Sequence, residues 1–104
     1  MDQPISIVIA DSSPVFRYGL KSILESKNEY HVAAEIQTGE DLESWLKHNT
    51  PDLIVLDCLA SGFSVDTVVA CSRLRPKTRL LAITSSHSGQ SIVNALRAGI
   101  TSYV

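Results

Sequence analysis

Leu53-Ile54-Val55-Leu56, preceded by Pro51-Asp52 and followed by Asp57, is the stretch whose reading decides the fold. Four consecutive apolar residues without polar alternation describe a strand covered on both faces, as at the centre of a parallel sheet. Pro51 breaks whatever precedes the run. Asp57 ends it with a carboxylate, which is costly to bury unless it is paired or metal-bound. Asp57 therefore reads first as a functional residue.

Working outward, Ile5 to Ala10 is apolar and β-branched and predicts a second buried strand. Ser13 is a plausible N-cap with Pro14 at the helix start. Phe16, Leu20, Ile23 and Leu24 recur at helical spacing, which predicts an amphipathic helix near 14–26. His31 to Ile36 is a more mixed strand. Thr38 to Asp41 has the pattern of a capping box with Asp in place of Glu, opening a short helix around Leu42, Trp45 and Leu46. Beyond Asp57, Val65, Val68 and Val69 share one face of a third helix, and Pro76 ends that region. Leu80 to Thr84 predicts a fourth strand. Ile92, Ala95 and Leu96 line a fourth helix, with Gly99 placed for its C-terminal cap. Thr101 to Val104 begins a fifth strand.

Strands alternating with helices predict βαβ units, a parallel sheet and an α/β fold. At 104 residues the chain has room for one hydrophobic core and one domain, 1–104. No apolar run is long enough to span a membrane, and the start of the chain lacks the pattern of a secretory signal, so a cytoplasmic protein is expected. The net charge of −2, without a basic stripe, makes the chain itself a poor nucleic-acid binder. Cys58 and Cys71 form neither a disulfide framework nor a CxxC metal site and read as reduced, partly buried thiols. No GxGxxG or GxxxxGK[ST] pattern supports a nucleotide-binding loop.

In open parallel sheets, ligands bind beyond the carboxyl ends of the strands. Those ends carry Asp11 with Ser12 and Ser13, then Asp57, then Thr84 with Ser85 and Ser86. Asp11 and the serines have a plainer reading as helix caps, and a Thr at a strand end is common. Converging carboxylates and a hydroxyl suit Mg²⁺, which needs only one or two carboxylates plus water and phosphate oxygens. A carboxylate beside such a cation can also act as a nucleophile and form an acyl phosphate.

Three segments carry a family resemblance. Ala10-Asp11-Ser12-Ser13-Pro14-Val15-Phe16-Arg17-Tyr18-Gly19-Leu20 resembles the A-D-D-H-P-x-x-R-x-G-L opening of receiver domains from LuxR-type transcriptional response regulators. Pro51 to Asp57 resembles the P-D-L-V-L-L-D segment with the phosphoacceptor, and Ala95 to Val104 resembles A-L-x-A-G-A-x-G-Y-L. The resemblance to these CheY-like receivers of two-component systems implies a flavodoxin-like three-layer fold with strand order 2-1-3-4-5. It also implies a chain that stops in or after the fifth strand, without the last helix. Asp57 would accept a phosphoryl group from a histidine kinase or a small phosphodonor. Asp11, Asp57 and the backbone carbonyl of Leu59 would hold Mg²⁺, and Thr84 and Tyr103 would form the switch. A helix-turn-helix output domain outside the chain and a homodimer are the implied partners.

The sequence also departs from the family pattern. Ser12 stands where receivers carry a second acid, which predicts weaker Mg²⁺ binding, by roughly tenfold or more, about 1.4 kcal/mol or above. Ala60-Ser61 replaces Met-Pro after the phosphoacceptor, although Gly62 fits. Ser64 and Val65 replace Asp and Gly. The family's lysine would fall past Val104. These departures keep open an atypical receiver that binds or dimerises without phosphorylation. A phosphatase-like hydrolase using Asp57 is a third reading, although Cys58, Leu59 and Ala60 offer no second acid. His31, His48 and His87 read as surface or capping residues, and Tyr30 and Trp45 as packing or surface residues of the second αβ unit.

Overall fold

The computed structural model describes residues 3–56, 62–82 and 102–103. Their elements are β1 (Ile5–Ala10), α1 (Pro14–Glu25), β2 (Tyr30–Ile36), α2 (Gly39–Leu46), β3 (Leu53–Leu56), α3 (Val65–Leu74), β4 (Arg79–Ala82) and β5 (Ser102–Tyr103). They form one parallel sheet of order β2-β1-β3-β4-β5, the flavodoxin-like arrangement. β2 starts at Tyr30 and β4 at Arg79, each one residue before its apolar pattern suggested. The fourth helix expected around Ile92 to Leu96 lies outside the described residues, as do Cys58 and His87.

The sheet separates two apolar layers. Val8 and Ala10 of β1, Ile54 and Leu56 of β3 and Leu80 of β4 pack with Leu42 and Leu46 of α2 and Val68 and Cys71 of α3. Their chain neighbours Ile7, Ile9 and Val55 face the other way, with Phe16, Leu20 and Leu24 of α1 against them. Alternation along a strand sends successive side chains to opposite faces. The continuous apolar runs of β1 and β3 are thus the direct consequence of cover on both sides. Each fully buried aliphatic side chain contributes about 1.5–3 kcal/mol of burial free energy. Tyr30 packs on the α1 layer and Trp45 on the α2–α3 layer, both half-buried.

Two expectations are corrected. Ile23 was grouped with the apolar stripe of α1 but is 61% exposed, because it lies about 60° round the helix from Leu20, on the flank of the stripe. Cys71 is not partly buried but 1% exposed, within the α2–α3 layer.

The mixed character of β2 also has a cause. Its register against β1 slips by one residue, Ile7 pairing with Val32 but Val8 with Ala34. A one-residue slip exchanges the faces, so Val32 joins the α1 layer while Ala34 and Ile36 join the other.

Candidate functional site at the carboxyl edge of the sheet

The last residues of the strands stand in register. Ala10 pairs with Ile36 on one side and with Leu56 on the other, Leu56 with Ala82, and Ala82 with Tyr103. The paired strand ends thus lie level along one edge of the sheet. After Ala10 comes Asp11, whose amide donates to the Ile36 carbonyl at 3.0 Å, one last ladder bond before the chain turns away.

Asp11 is 9% exposed. Its Oδ1 accepts a hydrogen bond from the Ser13 amide at 2.7 Å, a local Asx-type turn that shapes the loop. Its main-chain carbonyl accepts from Nη1 of Arg17 at 2.6 Å. Ser13 caps α1 as expected, its hydroxyl accepting from the Phe16 amide at 3.3 Å, with Pro14 opening the helix. The capping reading of this loop and the ligand reading of Asp11 are therefore compatible. Ser13 does the capping, and Asp11 orients the turn with one oxygen of its carboxylate. Ser12 is half-buried beside it.

The sequence motif by itself gives Arg17 no role. Arg17 Nε lies 3.7 Å from Glu35 Oε1, and Lys21 Nζ lies 3.7 Å from Glu35 Oε2. A cation one turn into α1, with a second cation one turn later and an acid on the neighbouring strand, was the sequence signal for this network. Gly39 and Ser64 were likewise missed as structural residues. Ser64 caps α3 and forms a reciprocal capping box with Thr67, so the Ser found where the family pattern has Asp has a clear use.

Asp57, Leu59 and Thr84 lie outside the described residues. Tyr103 is described by its backbone, as the partner of Ala82. Among the described residues no three His, Cys, Asp or Glu side chains gather as a metal cluster. A cavity of about 800 Å³ opens at the opposite edge of the sheet, lined by residues such as Ile5, Pro51, Leu53, Thr78 and Arg79, and so is separate from Asp11.

The model of the response regulator receiver domain matches residues 7–104. The chain belongs to this family. As a receiver domain of two-component response regulators it is similar to the nitrate/nitrite response regulator protein homolog of Haemophilus influenzae, 27% identical over 100% of this chain and 50% of that protein. It is also similar to response regulator protein VraR of Staphylococcus saprophyticus, 27% identical over 97% of this chain and 49% of the relative. The receiver domain thus spans about half the length of these curated relatives. In fold it matches a LuxR-family two-component response regulator from Aurantimonas sp., with TM-score 0.87, 22% identity, and 97% of this chain and 73% of that one covered. It also matches a response regulator from Burkholderia pseudomallei that holds a phosphorylated aspartic acid, a calcium ion and citrate, with TM-score 0.85, 21% identity, and coverage of 94% and 57%. Among the described residues no helix is long and apolar enough to cross a membrane.

Proposed function

We propose that residues 1–104 form one receiver domain that takes a phosphoryl group on Asp57 and passes the change to an output domain. The observation that carries this reading is the pairing of Ala10 with Leu56. The strands that lead into Asp11 and Asp57 end at the same level, as two carboxylates that share one divalent cation require, with the cation in turn activating the nucleophile. In the transfer, an Asp57 carboxylate oxygen bonds to phosphorus, and the bond from phosphorus to the donor's imidazole nitrogen or acyl oxygen breaks. An acyl phosphate results, and the electron pair leaves with the donor.

Asp11, Asp57 and the Leu59 carbonyl would hold Mg²⁺. The Asp11 carboxylate is a hard oxygen donor held in place by the Ser13 amide, which fits a cation that needs only one or two carboxylates. When bound, the cation offsets negative charge on the carboxylate and the phosphoryl oxygens. Asp11 keeps an acidic group at the edge, and Ser12 adds a hydroxyl where the family carries a second charge, which weakens the site. Thr84 and Tyr103 are the proposed switch pair, with Thr84 drawn toward the new acceptor oxygens on Asp57.

In this reading the domain is a cytoplasmic signalling module without turnover of its own. A histidine kinase or small phosphodonor supplies the phosphoryl group. The names of the LuxR-family neighbours, one of them a DNA-binding response regulator, support a DNA-binding output in the whole protein; a homodimer is part of the same proposal.

Ser12 favours one second reading, a receiver that binds or dimerises without phosphorylation. The deciding experiment treats the intact protein with acetyl phosphate and Mg²⁺, and follows Asp57 by mass spectrometry. A phosphoryl adduct on Asp57 that is absent in Asp57→Asn supports the first reading. No adduct, with dimerisation or partner binding unchanged in Asp57→Asn, supports the second. Sustained release of phosphate from a phosphomonoester would point instead to a hydrolase.

A further inference from the structure

We propose that Arg17 is a positioning residue for Asp11. Its guanidinium holds the main chain of the β1–α1 loop so that the Asp11 carboxylate keeps one orientation toward a divalent cation. This inference rests on the reading of Asp11 as a cation ligand.

Asp11 is held at three points. Its amide is bonded to Ile36 at 3.0 Å, its Oδ1 to the Ser13 amide at 2.7 Å, and its carbonyl to Arg17 Nη1 at 2.6 Å. The first two are a strand ladder bond and a local turn. Only the third comes from a side chain on another element, and it is the shortest. Arg17 itself has little freedom, since its own amide makes an early helical bond to Ser13 at 3.1 Å and its side chain is 14% exposed.

Balancing Glu35 does not account for Arg17. Lys21 already lies 3.7 Å from the second oxygen of Glu35. Among the described residues the Nε of Arg17, though 3.7 Å from Glu35 Oε1, is buried without a hydrogen-bond partner. Leaving a guanidinium N–H buried and unbonded is unfavourable, and a more flexible cation could serve Glu35 from the surface, as Lys21 does. What distinguishes the arginine is the bond to the Asp11 carbonyl. Groups that orient a metal ligand from behind change metal affinity by about tenfold or more when removed. Here the effect matters more because Ser12 leaves Asp11 without an acidic neighbour in the loop.

The charge of Arg17 acts in the opposite direction, since a nearby cation repels Mg²⁺. The two effects are separable with Arg17→Lys, which keeps the charge, and Arg17→Met, which removes it. Mg²⁺ is titrated into the intact protein and its variants, followed by the NMR shifts of the Asp11 to Ser13 amides, with thermal unfolding alongside. Glu35→Gln, which spares the bond to Asp11, is the control. The expected result is Mg²⁺ binding weaker by about tenfold in Arg17→Lys, weakened less in Arg17→Met, where the repelling charge is gone as well, and unchanged in Glu35→Gln. Affinity unchanged in Arg17→Lys, or a lower unfolding temperature with no change in affinity, overturns the proposal. If the unaltered protein shows no Mg²⁺ response, the cation reading of Asp11 falls, and amide exchange decides the role of Arg17. Faster exchange at Ser13 in Arg17→Lys than in Glu35→Gln keeps Arg17 as the anchor of the loop, and equal exchange removes it.

Discussion

The amide of Gly39 donates to the carbonyl of Gly62 across 2.8 Å, tying the first turn of α2 to the segment that leads into α3. The approach is close because Gly39 has no side chain. A Cβ there would lie 2.5 Å from Thr67 Oγ1 and 3.1 Å from the Gly62 carbonyl. Thr67 cannot swing aside at low cost, since it is buried and its hydroxyl closes the capping box with Ser64. Gly39→Ala is expected to destabilise the fold by about 1–3 kcal/mol through overpacking. Gly62 has a φ of +89°, so Gly62→Ala is expected to cost about 1–2 kcal/mol from backbone strain alone. Urea midpoints at unchanged m-value measure both.

Leu42 and Ile54 belong to the layer between the sheet and the α2–α3 pair, both fully buried. Truncating either to Ala leaves a cavity that rigid neighbours cannot fill, with an expected loss of about 2–5 kcal/mol. Ile23→Ser, at a solvent-facing flank of α1, is expected to stay within about 0.5 kcal/mol. Equal losses at Ile23 and Leu42 in denaturant titrations would mean that α1 packs differently from the arrangement described above.

Ser64 accepts from the Thr67 amide at 3.3 Å, and the Ser64 amide donates to Thr67 Oγ1 at 3.3 Å. Ser64→Ala removes one half of this exchange and should cost about 0.5–2 kcal/mol. Ser64→Asp should retain most of the stability, since Asp caps as well as Ser and adds a charge favourable at a helix start. Thermal unfolding of the two variants side by side checks the order.

Burial pushes the Cys71 thiol up from about 9 to about 12, with the nearby Glu43 carboxylate adding to the effect. In the unfolded chain the same thiol loses its proton above about pH 9. Between these values the unfolded state binds fewer protons, so stability falls as pH rises from about 9 to about 12 and is fully present below. Cys71→Ala is expected to show a shallower loss over that window in stability measured against pH. A slope identical to that of the unaltered protein would exclude Cys71 as its source. In a Cys58→Ser background, iodoacetamide at mildly alkaline pH should modify Cys71 only as fast as the protein opens.

Much of the fold was legible locally. An unbroken apolar run needs no distant information to be read as a doubly covered strand, so β1 and β3 were plain from Ile7 to Ala10 and Leu53 to Leu56. Ser13-Pro14 marked the start of α1 because capping is settled within one turn of helix. The alternation of elements carried the parallel sheet, and the family resemblance at Asp11 and Asp57 supplied its strand order. In the candidate site, Asp11 was legible as a carboxylate at a strand end, and the residue types alone suggested oxygen ligands for a cation.

The tertiary structure decided what depends on residues far apart in the chain. The slip between β1 and β2 sends Val32 and Ala34 to opposite faces, which no period of two can announce. Gly39 is required to be small by Thr67, 28 positions on, and Asp11 is held by a guanidinium that must fold back from α1. Sequence patterns report propensities summed over a few neighbouring residues. Close approach, register and hydrogen bonds between elements are set by packing, where one methyl group or one missing partner costs as much as the whole local preference.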